Sequence, residues 1–271
     1  MKPGLSCWGD IIARTLAVYG RCGKMEVVMA TAADLASVLG WLEQEYAEDG
    51  EGFWCNRRII ESALEHGDLW VIRRGDEPIA VQVGDYAPDI VSVRKDCRQQ
   101  GLGDALFAAS LQRAIDDNVN VLSIECSPRS SWTFWQRHGF KRFGDLGEWG
   151  RITARRILPR SFDIPTDVPS ADVEIGFYPE SATYGRGEVP AIVSHRLRGG
   201  RLDDGAILLE RRVIGLTDDE PEGKDLVVKI QVDGEVRCFC KAKYEEAEEA
   251  GVTRDWKGGA FYIDAVEPAD G

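Results

Sequence analysis

Two glycines, Gly101 and Gly103, stand between a β-branched run, Val91-Ser92-Val93, and a helical pattern from Asp104 to Asp117. A strand that turns through glycine directly into a helix lets backbone approach a ligand closely. The first N–H groups of such a helix have no intrahelical partner, and with the helix dipole they form an anion site. Successive N–H groups from Gln99 through Gln100, Gly101 and Leu102 to Gly103 can add a backbone nest for the same anion. The stretch therefore predicts a strand, a phosphate-binding turn and a helix.

The turn is neither of two common nucleotide fingerprints. G-x-G is followed by Asp104-Ala105-Leu106, so the third glycine of a dinucleotide loop is missing, and no Walker A pattern occurs. Further on, an apolar run from Val119 to Cys126 predicts a strand, and Phe134-Trp135-Gln136-Arg137-His138-Gly139-Phe140 closes the stretch. Together these features resemble the GNAT-type N-acetyltransferases. Arg98, Gly101 and Gly103 fill that family's R/Q-x-x-G-x-G/A loop, and Gly139-Phe140 falls where the family places its G-F pair. The resemblance covers roughly residues 25 to 157. It implies an α/β (α+β) fold with a mixed central sheet flanked by helices, and acetyl-CoA as co-substrate. It also implies that Val91 and Val93 offer backbone groups to the pantetheine arm, while Arg98 to Gly103 hold the pyrophosphate.

Acyl transfer to an amine also needs a base for the ammonium and, for the leaving thiolate, an acid. The resemblance places the usual acidic tyrosine four residues before Gly139, where this chain has Trp135. An indole N–H donates but does not release its proton at neutral pH, so Trp135 is expected to pack against the cofactor. Tyr86 is one replacement. Glu125, near the end of the second central strand, and Asp89, flanking the strand that enters the loop, are candidate bases acting through water. No metal site is expected, because His66, His138 and His195 lie at no ligand spacing.

Outside this stretch, Thr31 and Asp34 have capping-box spacing before a stripe of Leu35, Val38, Leu39 and Leu42. A second helix is expected over Phe53 to His66, with Ile59, Ile60 and Leu64 inward. On the long helix after the loop, Leu106, Ala109, Leu111 and Ile115 mark the buried side, and Ser130 is read as the cap of the short helix that holds Trp135. Glu43, Glu45, Glu48 and Asp49 cluster after the first helix and could attract a cationic amine.

From Pro159 the texture changes. Residues 159–171 read as a proline-containing linker, and 172–271 as a β-rich acidic domain of unrecognised family with six strands, one short helix and an Asp233-Gly234 hairpin. Residues 1–24 read as an N-terminal extension and 25–158 as the acetyltransferase-like domain. From Ser161 to Gly271 there are 24 acidic and 13 basic residues, a net −11 of the chain's −13. That acidity disfavours nucleic-acid binding, which requires phosphate neutralisation.

No apolar run reaches the roughly 20 residues of a membrane span. Seven cysteines without a C-x-x-C pair fit a reduced, cytoplasmic setting. The expected activity is acetyl transfer from acetyl-CoA to a primary amine of a small molecule or protein, and a homodimer is compatible with the sequence. Two alternatives stay open. One is a catalytically weak CoA-binding or regulatory module whose acidic C-terminal domain binds a partner. The other is a toxin- or antitoxin-like acetyltransferase relative.

Overall fold

A computed structural model describes residues 16–20, 23–142, 151–184, 189–216, 225–255 and 260–268. The first 15 residues of the expected extension, and Phe143 of an expected strand, lie outside the described residues. The chain divides into two compact units between Asp117 and Asn118, well before the proline-containing stretch at 159–171.

The first unit holds a five-stranded antiparallel sheet, β1 (Leu16–Gly20), β2 (Gly23–Met29), β3 (Leu69–Arg74), β4 (Glu77–Val83) and β5 (Ile90–Val93), in that spatial order. Part of the expected extension is thus a strand, with Val18 opposite Met25. Side chains alternate across the sheet, as a strand's two-residue period requires. Leu69 and Val71 pack on one face with Val38, Leu42 and Ile60 of α1 (Ala32–Asp49) and α2 (Arg57–His66). Trp70 and Ile72 pack on the other with Leu102, Leu106 and Ala109 of α3 (Leu102–Asp116).

The capping box at the head of α1 is present. The Asp34 N–H donates to Thr31 Oγ1 (3.3 Å) and the Thr31 N–H to Asp34 Oδ2 (2.7 Å). Asp34 is also clamped by Arg73, with Nε 2.7 Å from Oδ1. Two expectations about helix faces fail. Ile59 is 49% and Ile115 50% exposed, while Ala63 and Arg113 are buried in their place. Each exposed isoleucine falls off the 3.6-residue stripe set by Ile60–Ala63 and by Leu102–Leu106–Ala109–Arg113.

The second unit contains two sheets. One has β6 (Val121–Cys126), β8 (Ile152–Ile157) and β7 (Lys141–Arg142), with β8 in the middle. Before β7, α4 (Trp132–Arg137) begins after Ser131 rather than Ser130, and no side chain caps it. The larger sheet is antiparallel, with strands β9 (Ser170–Tyr178), β10 (Val193–Arg201), β11 (Ile207–Ile214), β12 (Val227–Val232), β13 (Glu235–Lys241), β14 (Val252–Asp255) and β15 (Ala260–Val266). Their spatial order is β13-β12-β9-β10-β11-β15-β14. The strand Val252–Asp255 is additional to the six expected. The short helix α5 (Glu245–Glu249) buries Ala247 against this sheet's core.

The stretch 159–171 is not a free tether. The Arg212 N–H donates to Arg160 O (2.8 Å) and the Phe162 N–H to Glu210 O (3.0 Å), fastening it along β11.

A polar hub joins the small sheet to the large one. The buried Arg212 guanidinium pairs with Asp264 through Nε and Nη2, and its Nη1 donates to Asn118 Oδ1 (2.8 Å) and Asn120 Oδ1 (2.6 Å). Asn120 in turn donates its backbone N–H (2.9 Å) and its side-chain amide (3.0 Å) to Asp255. Arg212 lies 4.1 Å from the Tyr262 ring centroid. Val121 and Ile157 pack with Ile214, Leu216 and Ala260 alongside. Each nitrogen of this buried guanidinium has an acceptor, so its charge is paired and the cost of burying it is offset.

Candidate active site

The strand β5 ends the five-stranded sheet, so one of its edges carries no strand of that sheet. Arg94 N–H donates to Ile79 O (3.0 Å), and Val93 lies opposite Ala80. Hydrogen-bonded and non-hydrogen-bonded pairs alternate in an antiparallel ladder. Ser92 and Arg94 therefore spend their backbone groups on β4, and those of Val91 and Val93 face the open edge.

The chain then passes through the loop. Gln99 (φ +64°) and Gly101 (φ +80°) are both left-handed, a conformation that is easy for glycine and uncommon for glutamine. The first bond of the α3 ladder is donated by Ala105 to Gly101 O (3.0 Å). Leu102 and Gly103 thus precede the ladder, at the positive end of a 15-residue helix. Left-handed turns followed by N–H groups ahead of a helix are the geometry of an anion nest. The expected loop residues Arg98, Gln99, Gln100, Gly101, Leu102 and Gly103 are contiguous at this point, and a pyrophosphate fits their donor set.

Side chains around the loop are arranged to hold it. Arg98 Nε donates to Val93 O (3.0 Å), and its other end reaches Glu45 Oε2 (2.6 Å). Glu45 Oε1 accepts the Lys95 backbone N–H (2.7 Å), and Lys95 Nζ lies 2.9 Å from both Asp49 oxygens. The acidic cluster lies on the last turns of α1 rather than after the helix, and part of it is a brace for the loop. Arg98 contributes through its backbone position, with its side chain folded back on the strand end. Sequence reasoning missed Arg74. Its guanidinium lies 3.0 Å from Gln100 Oε1, and it forms no ion pair among the described residues. It stands 26 positions away across a hairpin, where no local pattern could have announced it.

The candidate catalytic groups are dispersed. Tyr86 donates to Asp117 Oδ2 (2.8 Å), and its carbonyl lies 2.6 Å from Ser110 Oγ, tying its loop to α3. Asp89 is exposed by surface area, yet desolvation by its surroundings raises its carboxyl above the usual range; the exposure limits that effect. Glu125, in the second unit, accepts from Arg151 (2.7 Å), and both side chains are half exposed. Trp135 is buried, edge-on to Phe134 (4.8 Å between centroids) and Phe140 (5.4 Å). Its ring packs the core behind the Gly139-Phe140 turn.

Residues 60–154 match the family model of the acetyltransferase (GNAT) domain. That segment contains β5, the loop and α3. Among solved structures, the chain is similar to a GNAT-family acetyltransferase from Listeria monocytogenes 4b F2365. The two share 13% identity with a TM-score of 0.45, over 53% of this chain and 100% of that one. It is also similar to the PaiA N-acetyltransferase from Thermoplasma acidophilum in complex with coenzyme A (8%, 0.40, 49% and 99%). A third is a Drosophila melanogaster polyamine N-acetyltransferase (14%, 0.40, 49% and 100%). No curated protein is matched by the sequence.

Proposed function

We propose that this protein transfers an acetyl group from acetyl-CoA to a primary amine of a small molecule or protein. The observation that carries this reading is the nest at Gln99–Gly103 heading α3, next to the open edge of β5, within a segment of the acetyltransferase family. In this reading acetyl-CoA supplies the activated acyl group. Val91 and Val93 bind its amide arm through backbone groups, as a short added strand would bind. The loop N–H groups from Gln99 to Gly103 hold the pyrophosphate, with Arg74 as a further cation. Asp89, whose carboxyl desolvation raises above its ordinary value, is the candidate base. Glu125 is engaged by Arg151 and Tyr86 by Asp117, so each would have to leave a partner to act. Water is the acid for the leaving thiolate, whose ordinary pKa near 8.5 makes that demand small. Such an enzyme would work in the cytoplasm.

The test is release of free CoA thiol from acetyl-CoA in the presence of a panel of amines, with products weighed by mass spectrometry. A gain of one acetyl group on an amine, lost in Gly103→Glu and reduced in Asp89→Asn, supports the reading. Tight CoA binding without product from any amine overturns it in favour of a binding module.

A further inference from the structure

A second concave site lies in the C-terminal sheet, separate from the acetyltransferase segment. It is a groove of about 660 Å³ over strands β9, β12 and β13, walled by Tyr178, Val189, Pro190, Val236 and Phe239. Volumes of 300–1,000 Å³ are usual for small-molecule sites. Lys229 is the charged residue of its described lining. The strand register places Lys229 between Gly176 on β9 and Phe239 on β13. A Cβ on Gly176 would come within 2.8 Å of the Tyr178 ring. The glycine thus leaves room for that ring to lie over the sheet beside Lys229. Tyr178 and Phe239 stand edge-to-face, with centroids 6.2 Å apart.

Two properties separate this groove from an ordinary sheet surface. Phe239 is 48% and Val236 54% exposed, an apolar patch on an otherwise charge-rich domain. The other property is the state of Lys229. Several cations on the surrounding strands are paired: Arg196 with Glu174, Arg201 with Asp233, Arg237 with Glu235, Lys241 with Glu180 and Lys243 with Asp225. Lys229 is half-buried and has no hydrogen bond or ion pair among the described residues. Glu174 on β9 pairs with Arg196, and Glu180, just after β9, pairs with Lys241. The domain's net negative charge beyond them is screened within about 10 Å at ordinary ionic strength.

We propose that this groove binds a small apolar or aromatic carboxylate, its anion on Lys229 and its body between Tyr178 and Phe239. One cation without a nest of N–H groups suits a single carboxylate better than a phosphate. The apolar walls require a hydrocarbon or ring body. The carboxylate could belong to a free acid or to the C-terminal residue of a peptide. The site is independent of acetyl transfer and stands whether or not the first unit turns over.

Calorimetric titration of the full chain with 4-phenylbutyrate and its neutral amide tests this directly. The acid is expected to bind roughly tenfold more tightly than the amide, the worth of one charge-assisted contact. Lys229→Met should erase that difference, Lys229→Arg should keep it, and Phe239→Ser should weaken both ligands. N-acetylphenylalanine titrated alongside separates the two sources. Tighter binding than 4-phenylbutyrate assigns the site to chain termini, and weaker binding to free acids. Equal binding of acid and amide, no binding of any of the acids, or an unchanged acid affinity in a folded Lys229→Met protein would overturn the proposal.

Discussion

Arg98 and Glu45 are 53 positions apart in sequence and 2.6 Å apart in space, and their contact fastens the Gln99–Gly103 loop to the end of α1. Glu45 also takes the Lys95 N–H, so one carboxylate fixes both ends of the turn that leads into the nest. The pair is partly exposed, with the Arg98 side chain at 51% and Glu45 at 12%. Its loss should cost less than about 1 kcal/mol of stability. Its effect should appear in binding instead: Glu45→Ala is expected to weaken acetyl-CoA severalfold in a calorimetric titration with little change in Tm. An unchanged Kd would mean that the loop holds its shape without the brace.

Asp34 sets an acid limit on the first unit. Burial alone raises its carboxyl, but hydrogen bonds from Arg73 and Thr31 outweigh that and hold it at about 2, below the ordinary 3.8. A carboxylate with a depressed folded value stabilises the fold above its unfolded value and loses that contribution as pH falls toward the folded one. The contribution is about 2 kcal/mol, present at pH 6 and fading between roughly pH 5 and 2. Asp34→Asn should therefore be clearly less stable than the parent in urea at pH 6. The two should converge only as the pH falls to about 2 and below, and a constant gap from pH 6 down to there would contradict the assignment.

The Arg212 hub predicts that the acetyltransferase segment does not stand alone. Ending the chain at Leu158 would strip Val121 and Ile157 of Ile214, Leu216 and Ala260, and would leave Asn120 without Arg212 and Asp255. Such a fragment is expected to aggregate or to lack a cooperative melting transition. Within the full chain, Arg212→Ala should cost about 3 kcal/mol or more, as breaking a buried ion pair does. A soluble, cooperatively folding 1–158 fragment would show that the contact division at Asn118 has no energetic counterpart.

Thiol reactivity follows burial. Cys238 is buried 3.4 Å from the Cys240 sulfur, and desolvation together with that neighbour pushes its thiol up to about 12. Cys55 is exposed, whereas Cys97 and Cys126 are buried. Iodoacetamide at pH 8, read by peptide mapping, should modify Cys55 well before Cys97, Cys126 or Cys238. Rapid labelling of Cys238 in the native protein would contradict its packing.

What the sequence disclosed was local. The turn through Gly101, the capping box at Thr31 and Asp34, and the hairpin at Asp233-Gly234 are short patterns whose physics lies within a few residues. Each is present in the structure. What it concealed was long-range or polar. Glu45 and Arg74 reach the loop from across the fold, and no periodicity marks them. No short pattern marks Arg212, Asn120 and Asp264, which the structure buries or pairs. The strand Val252–Asp255 shows the same limit. With one buried aliphatic side chain in four residues, it is held by pairing with β15 rather than by a pattern of its own. Ile59 and Ile115 erred in the opposite sense, since apolar residues near a stripe need not lie on it.

Under the proposed function, the nest at Gln99–Gly103 holds acetyl-CoA. Thermal denaturation with and without acetyl-CoA, on the parent and on Gly103→Glu, tests it most directly. Glutamate in the first turn of α3 suits the helix dipole, so the variant should fold, while its carboxylate opposes the incoming pyrophosphate. At about 100 times the dissociation constant the ligand stabilises by about 2.7 kcal/mol, a shift of several degrees at this chain length. That shift is expected in the parent, and none in a folded Gly103→Glu. No shift in the folded parent, or an equal shift in both proteins, would contradict it.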